Sequence, residues 1–224
     1  TMGNVSSRPP AHVPHPDQVR ALADLINGAR KVTLFCGAGV AGAHDEVMRF
    51  AEALKSPVGH AMGGKEFIQY DNPYDVGMSG LLGYGAAFDA THAADLLILV
   101  GTDFPYEQFL PDDIAIAQID RYGERLGRRA RLDLAVEGDV AATIEAVLPL
   151  IEERTDRTFL DKMLKLHCDK LEKVVGAYTR DVEHHTPIHP EYAASILDEV
   201  ATEDAIFTAD TGMCNVWTAR YLRP

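Results

Sequence analysis

Short apolar runs alternate along much of the chain with segments of helical periodicity. The apolar runs have the length of β-strands and lie at residues 32–36, 57–61, 96–100, 114–119 and 132–136. Apolar residues recur at helical spacing between them, at 16–28, 47–54, 85–94 and 139–153, whereas residues 62–84 are predicted to be irregular. Strands that are apolar throughout and alternate with helices are typical of a parallel sheet covered on both faces. We therefore predict a doubly wound, Rossmann-like α/β domain over residues 16–153.

The segments outside this domain have other patterns. Residues 1–15 contain three prolines and are predicted to be an extended linker. Residues 154–187 are predicted to be a linker helix, helical over 156–180, with an apolar stripe of Phe159, Met163, Leu166 and Leu171. Residues 188–224 carry a helical pattern at 190–200, an apolar run at 205–209 and a second helical pattern from Cys214. We interpret them as the truncated start of a second α/β domain, because so few elements cannot bury their own apolar faces, and we expect a longer protein.

Composition and charge narrow the function classes. Of the 224 residues 46% are hydrophobic and 25% are charged, which is the balance of a globular protein with a core. The formal net charge of −13 argues against a nucleic-acid-binding protein, because phosphates are bound by basic surfaces. No apolar run approaches the length of a membrane-spanning helix, and the first residues do not resemble a secretory signal. The three distant cysteines (Cys36, Cys168 and Cys214) fit neither a zinc site nor a disulfide framework, which favours a cytoplasmic protein.

A glycine-rich loop follows the first predicted strand. Residues 37–42 read Gly-Ala-Gly-Val-Ala-Gly and lie between a strand and a helix. Glycines in this setting let the backbone approach a pyrophosphate at the N-terminus of a helix. An ordinary NAD site also requires an acidic residue at the end of the second strand, but the first acid there is Glu66, in the following loop. The loop therefore predicts either a nucleotide site of another kind or a tight turn that binds nothing.

Other loops at the carboxyl ends of strands carry candidate binding groups, because open α/β sheets bind ligands at that edge. Residues 101–106 follow the third strand with small, polar and aromatic side chains. Asp120 ends the fourth strand, where a carboxylate can accept hydrogen bonds from ribose hydroxyls. Asp139 opens a helix, where it serves either a ligand or simply the helix N-terminus. His44 and His60 have no partners at metal-binding spacing and are interpreted as structural.

Several longer motifs resemble one enzyme group. They are Cys36–Glu46, Gly64–Glu66, Tyr70–Met78, Gly101–Tyr106, Gln118–Asp120, Gly138–Val140, Ile188–Pro190, Asp204–Thr208 and Val216–Trp217. Together they resemble the central domain of thiamine diphosphate enzymes, and more narrowly the pyruvate oxidase and pyruvate:quinone oxidoreductase group. The resemblance extends over nearly all of the chain beyond residue 16. It identifies residues 188–224 with the start of the thiamine diphosphate-binding domain.

The resemblance implies an FAD site along the strand ends. It implies backbone contacts to FAD at Gly37, Ala38 and Gly39, with Gly39 at the closest approach. A loop beside the flavin is implied at Ser79, Gly80, Leu81 and Leu82. Contacts to the phosphates or the ribityl chain are implied at Thr102, Asp103, Phe104, Pro105 and Tyr106. Asp120 would bind the adenosine ribose, and Asp139 and Val140 would lie at the adenine end.

The resemblance also implies a reaction that is larger than this chain. The group decarboxylates pyruvate to acetate and CO2 with thiamine diphosphate and magnesium, and electrons pass to FAD and then to a quinone. A homo-oligomer, a tetramer for the full-length chain, and a peripheral contact with the inner membrane face outside this segment are implied as well. The Gly-Asp-Gly magnesium motif occurs nowhere in residues 1–224. We therefore expect no catalytic or metal-binding residue in this segment and no activity from it alone.

Two departures and two alternatives accompany this hypothesis. Gly63 stands where the family pattern leads us to expect a basic residue, and residues 211–215 differ from the usual Val-Gly-Thr-Pro-Thr. One alternative is an acetolactate synthase-like carboligase in which FAD is only structural. The other is a non-catalytic nucleotide-binding or assembly module. The motifs at 70–75 and 103–106 favour the oxidase.

Overall fold

The computed structural model describes residues 11–223, and a seven-stranded sheet forms its centre. The strands are β1 (Val32–Cys36), β2 (Val58–His60), β3 (Asp75–Met78), β4 (Tyr84–Gly85), β5 (Leu96–Val100), β6 (Ala115–Asp120) and β7 (Leu134–Glu137). The helices are α1 (Pro16–Gly28), α2 (His44–Leu54), α3 (Lys65–Ile68), α4 (Ala87–His92), α5 (Val140–Val147), α6 (Thr158–Lys170), α7 (Pro190–Val200) and α8 (Met213–Tyr221). The order across the sheet is β4-β3-β2-β1-β5-β6-β7, and all strands except β4 run parallel. The predicted α/β fold class is confirmed.

The alternating side chains of β5 show how the sheet is covered on both faces. Leu96, Ile98 and Val100 belong to the larger apolar cluster, which includes residues of α1, α2 and α5. Leu97 and Leu99 point to the other face, where they pack with aromatic residues of the loop after β5. Helix α4 covers that second face beside β1, β2 and β3. Strands buried on both sides explain why the apolar runs of the sequence are continuous rather than alternating.

The order of the strands reverses between β1 and β5. On one side of β1 lie β2, β3 and β4, in that order. The chain then crosses back, and β5 pairs with the opposite side of β1. In doubly wound sheets such a reversal lets the loops of the two central strands diverge at the carboxyl edge, where ligands bind. In this chain the loops after β1 and β5 lie on either side of that point.

The registers of the six parallel strands place their ends in one row. Cys36 pairs with Val100, Val100 with Ile119, and Ile119 with Val136. In the other direction Cys36 pairs with His60, and His60 with Met78. We call these six residues the end row; it spans about 24 Å at the usual distance between strands. The loops that follow these strands therefore begin one or two residues beyond the end row, at the same edge of the sheet.

Two local expectations from the sequence were wrong, and two predicted helices have different bounds. Strands β3 and β4 lie within residues that were predicted to be irregular, because Gly77 and Gly85 interrupt the apolar pattern there. Residues 205–209 form no strand; they have no neighbouring strand to pair with among the described residues, and Ile206 is 91% exposed. The helix predicted over 156–180 begins at Thr158 and ends at Lys170, and continues as a π-turn over Leu171–Val175 and a 3-10 turn over Gly176–Tyr178. The helix predicted up to 153 ends at Val147, where a 3-10 turn containing Pro149 follows.

The segment before α1 is tied to the sheet domain at its described end. Residues 1–10 of the predicted linker lie outside the described residues. His12 donates its backbone N–H to the Asp139 carboxylate, and its carbonyl accepts from the Asp139 N–H at 2.8 Å. Helix α1 then begins at Pro16, after a capping interaction between His15 and Gln18.

Glycines join the loops after β1 and β5 by direct backbone contact. The N–H of Gly37 donates to the carbonyl of Val100 at 3.0 Å, and that of Gly39 donates to Gly101 at 2.8 Å. A Cβ atom at Gly39 would lie 2.6 Å from the Cα of Gly101, and Gly101 has a φ of +58°. A side chain at Gly39 would therefore disturb the fold before it met any ligand.

We predict that Gly39→Ala destabilises the chain by roughly 1–3 kcal/mol, the usual cost of overpacking a filled site. Gly28→Ala is the matched control, because a Cβ at the end of α1 meets nothing within 4 Å. This control should lose no stability, since alanine favours the helical backbone. Denaturant unfolding of both variants measures the difference. Equal midpoints for Gly39→Ala and the unaltered chain would show that the two loops are not packed as described.

Candidate functional site

Three of the predicted binding segments meet at the end row. The loop after β1 contacts the loop after β5, where a Cβ at Gly37 would lie 2.5 Å from the Cβ of Thr102. The loop after β3 reaches the same place, because a Cβ at Gly80 would lie 3.2 Å from the rings of Phe104 and Tyr106. Asp120 ends β6 one position beyond the end row. The carboxyl edge therefore collects segments that are far apart in the sequence.

The glycine loop itself differs from the pyrophosphate loop that its pattern predicts. A 3-10 turn over Ala38–Val40 follows β1, and α2 begins only at His44. The N–H groups of Gly37 and Gly39 are used to hold the loop after β5. The first turn of α2 carries Asp45 and Glu46, which place negative charge at the helix N-terminus. These features give the loop a packing role at the edge, and the FAD contacts implied at Gly37, Ala38 and Gly39 stay predictions.

Asp120 has the chemistry of an incomplete binding site. The residue is 3% exposed, and its Oδ1 accepts a hydrogen bond from the N–H of Tyr122 at 2.9 Å. Its Oδ2 is buried and has no hydrogen-bond partner among the described residues. Burial raises the pKa of the carboxyl group, because the charged form loses water. A buried acceptor without a donor is costly, and a ligand with hydroxyl groups would satisfy it.

A second buried polar atom without a partner lies near the other end of the row. The Oγ of Ser79 is buried and has no hydrogen-bond partner in the part of the chain that the structure describes. Its backbone N–H donates to the carbonyl of His60 at 3.2 Å, which fixes the residue beside the end row. Gly80 follows with a φ of +113°, and Leu81 is 63% exposed. This turn therefore presents a polar atom and an apolar side chain next to each other.

The loop after β5 forms an aromatic wall. Phe104 is buried and packs edge-on against Phe35, with ring centroids 5.0 Å apart, and against Tyr106 at 5.5 Å. The Asp103 carboxylate is occupied by ion pairs with Arg128 and Arg129. Pro105 is exposed and Thr102 is buried. The wall can pack against a planar ligand, whereas Asp103 has no free carboxylate to offer.

Asp139 and Val140 lie beside Asp120 but are not open to a ligand through their side chains. The Asp139 carboxylate accepts from the N–H of His12 at 2.6 Å and pairs with Arg121 at 3.3 Å. It occupies the N-cap position of α5 without a hydrogen bond to the helix, so the expectation of a side-chain cap was wrong. Val140 is buried in the apolar core. A contact with a ligand here would have to use the backbone.

The two histidines that were interpreted as structural make intramolecular contacts. His44 stacks on Tyr70, with ring centroids 4.3 Å apart, and its Nε2 lies 2.9 Å from the Tyr70 carbonyl. His60 is fully buried, and its Nε2 lies 3.8 Å from the carboxylate of Asp75. No group of three or more metal-binding side chains occurs within residues 11–223. None of the described helices is long and apolar enough to cross a membrane.

A cleft of about 880 Å³ opens at a place that Asp120 does not line. It is bordered by residues 62–66 and by the segment that contains α7 and α8. Lys65 lines it with a buried ammonium group whose pKa burial lowers to about 8, and this group donates to the carbonyl of Leu222 at 2.8 Å. A Cβ at Gly63 would make only ordinary contact with Ala38 at 3.6 Å. Packing at position 63 would therefore allow the basic side chain that the family pattern leads us to expect there.

Two residues at the edge were missed by sequence reasoning. The side chain of Gln118 donates to the Thr102 carbonyl at 3.1 Å and accepts from the Gly127 N–H at 3.0 Å, so it joins two loops. A polar residue within an apolar strand was the signal for it. Arg220 reaches the loop after β3 from α8. No local pattern in the sequence indicates that contact.

Comparisons with known proteins agree with this architecture. The family model described as thiamine pyrophosphate enzyme, central domain, matches residues 19–147, more than half of the chain. An uncharacterized 42.6 kDa protein of Pseudomonas amyloderamosa is 55% identical over 72% of this chain and 41% of that protein. A Bacillus subtilis protein with the provisional name of thiamine pyrophosphate-containing protein YdaP is 30% identical over 94% of this chain and 36% of its own length. An acetolactate synthase of Mycobacterium bovis is 29% identical over 94% and 35%.

A solved structure supports the fold. Benzoylformate decarboxylase from Polynucleobacter necessarius superposes with a TM-score of 0.73 at 17% identity, covering 100% of this chain and 41% of that chain. The chain thus spans about two fifths of the length of the proteins that it matches.

We predict that Asp120→Asn stabilises the ligand-free chain by about 1 kcal/mol near pH 7.5, because it removes a buried charge without a full set of donors. Since the folded pKa of Asp120 is raised, the carboxyl group favours the folded state at low pH and loses that contribution as the pH rises through the folded pKa. The advantage of asparagine should therefore shrink on acidification. Unfolding curves at several pH values measure it, with Asp24→Asn, at an exposed position of α1, as the control. A gain that does not change with pH would contradict this account.

Proposed function

We propose a function from one premise: the chain belongs to the thiamine pyrophosphate enzyme family, whose central domain it contains. Within such an enzyme, we propose that this domain binds FAD along the end row, from Ser79 to Asp120. The observation that carries the proposal is the buried Asp120 carboxylate, whose Oδ2 has no donor within residues 11–223. It ends a strand in the same row as the loops after β1, β3 and β5.

The residues present fit the chemistry of this ligand. Asp120 would accept hydrogen bonds from the adenosine ribose, whose hydroxyl groups supply the missing donors. Residues 102–106 would border the phosphates and the ribityl chain. The turn at Ser79–Leu82, together with Phe104 and Tyr106, would lie beside the flavin ring. Asp139 and Val140 remain predictions for the adenine end, through their backbone atoms.

For the whole protein we propose the oxidation of pyruvate to acetate and CO2. FAD, when bound, would supply a two-electron acceptor, with thiamine diphosphate and magnesium held by parts of the protein beyond the matched domain. The motifs at 70–75 and 103–106 support this choice over a carboligase. A quinone as electron acceptor, a homo-oligomer in the cytoplasm and a peripheral contact with the membrane belong to the same proposal.

A second candidate is a carboligase of the acetolactate synthase type, in which FAD is structural. It is favoured by the similarity to acetolactate synthases along 94% of the chain. Anaerobic addition of pyruvate to the full-length protein, loaded with FAD, thiamine diphosphate and magnesium, separates the two. Rapid bleaching of the flavin with formation of acetate is expected for the oxidase. Acetolactate formation with an unchanged flavin spectrum would support the carboligase instead.

The test of FAD binding is Asp120→Ala in the chain itself. Because a hydrogen bond to a charged group contributes roughly 1.5–3 kcal/mol, we expect the dissociation constant for FAD to rise about tenfold or more. Calorimetric titration measures it, and Asp24→Ala, at an exposed position of α1, is the control that should leave the FAD affinity unchanged. An unchanged affinity in Asp120→Ala would remove this carboxylate from the binding site.

A further inference from the structure

Residues 79–83, which we call the β3 turn, owe their shape to backbone contacts. The N–H of Gly83 donates to the carbonyl of Gly80 at 2.9 Å. A Cβ at Gly83 would lie 2.8 Å from the Gly80 oxygen, and the φ of Gly80 is +113°. Since glycine is free in backbone conformation and supplies no side chain to anchor the turn, its position depends on what lies on either side of it.

Aromatic rings support one side of the β3 turn. Gly80 is so close to Phe104 and Tyr106 that an added Cβ would lie 3.2 Å from each ring. Phe104 is itself buried against Phe35 on the second face of the sheet. This side of the turn therefore rests on a surface that is fixed by the core.

An arginine of α8 holds the other side. The Nη2 of Arg220 donates to the carbonyl of Gly83 at 3.0 Å, and its Nε lies 3.4 Å from the carbonyl of Leu82. A guanidinium group is a rigid fork of donors, so it can fix two consecutive carbonyl groups at once. The two acceptors are the last carbonyls of the β3 turn before β4 begins at Tyr84.

The end of α8 is itself anchored close to the sheet. The ammonium group of Lys65 donates to the carbonyl of Leu222 at 2.8 Å and also binds the side chain of Gln69. Tyr221 and Leu222 are buried. Arg220 therefore extends from a fixed helix end, and not from a loose terminus, toward the β3 turn.

We propose that Arg220 is a positioning residue that holds the β3 turn against Phe104 and Tyr106 in the conformation that receives the flavin end of FAD. The inference rests on the proposed function, because it names the control of the same site. It also connects two parts of the chain. Helix α8 lies in the segment that was interpreted as the start of the next domain, so one side chain links that segment to the FAD site.

The test compares Arg220→Met with Arg223→Met. Both changes keep the aliphatic stem and remove a guanidinium group, from α8 at Arg220 and from just beyond α8 at Arg223. Arg223 pairs with Asp198 and not with the β3 turn. Hydrogen exchange of peptides covering residues 79–84 and titration with FAD are measured on both variants, with melting temperature as the control for folding. We expect about tenfold faster exchange and about tenfold weaker FAD binding in Arg220→Met alone.

The outcomes separate the two proposals. Exchange in Arg220→Met equal to that of the unaltered chain, or a faster-exchanging turn with unchanged FAD affinity, would overturn the positioning role. Failure of the unaltered chain to bind FAD would overturn the proposed function, whereas a difference in exchange would still show that Arg220 holds the turn. Arg220→Lys keeps the positive charge but lacks the paired donors of the guanidinium group. Its β3 turn should exchange at a rate between those of the unaltered chain and Arg220→Met. The lysine variant replaces the methionine variant if that variant does not fold.

Discussion

The close approach of Gly39 to Gly101 is the constraint on which the rest of the edge depends. A Cβ at Gly39 would lie 2.6 Å from the Cα of Gly101, so the loops after β1 and β5 meet backbone to backbone. The N–H groups of Gly37 and Gly39 are used in this contact. On either side of these two central loops, Ser79 and Asp120 each carry a buried polar atom without a partner within residues 11–223. The glycine pattern thus fixes the edge of the sheet at which we propose the ligand site.

At the proposed site, Asp120 carries an unsatisfied group that costs stability. Its carboxylate is almost completely buried, yet one oxygen has no donor within the described chain, and burial raises its pKa. Nearby carboxylates differ because they have partners. Asp103 is paired with two arginines, and Asp139 binds Arg121 and the backbone of His12. Of these three acidic residues, Asp120 is the one left with an unsatisfied oxygen. That contrast, more than the presence of an acid at a strand end, is the reason why we propose Asp120 as a binding group.

The sequence was sufficient to predict the fold class and the edge of the sheet where the candidate groups lie. It was not sufficient to predict the contacts between loops. Continuous apolar runs such as Leu96–Val100 reveal strands that are buried on both faces, and polar residues after them mark the carboxyl edge. Strand β3 was missed because Gly77 sits among its few residues, and its pairing with β2 and β4 comes from tertiary contacts. The ion pair between Asp139 and Arg121 and the hydrogen bond from Arg220 to Gly83 join residues more than 15 positions apart. No local sequence pattern encodes such contacts.

The most direct measurement is a crystal structure of the chain grown with FAD. The account predicts ligand density along the end row, with the ribose within hydrogen-bond distance of the Asp120 Oδ2 and the flavin ring beside the β3 turn. The competing location is the cleft of about 880 Å³ that is bordered by Lys65 and α8. Density for FAD in that cleft, with the Asp120 carboxylate still without a donor, would contradict the central claim.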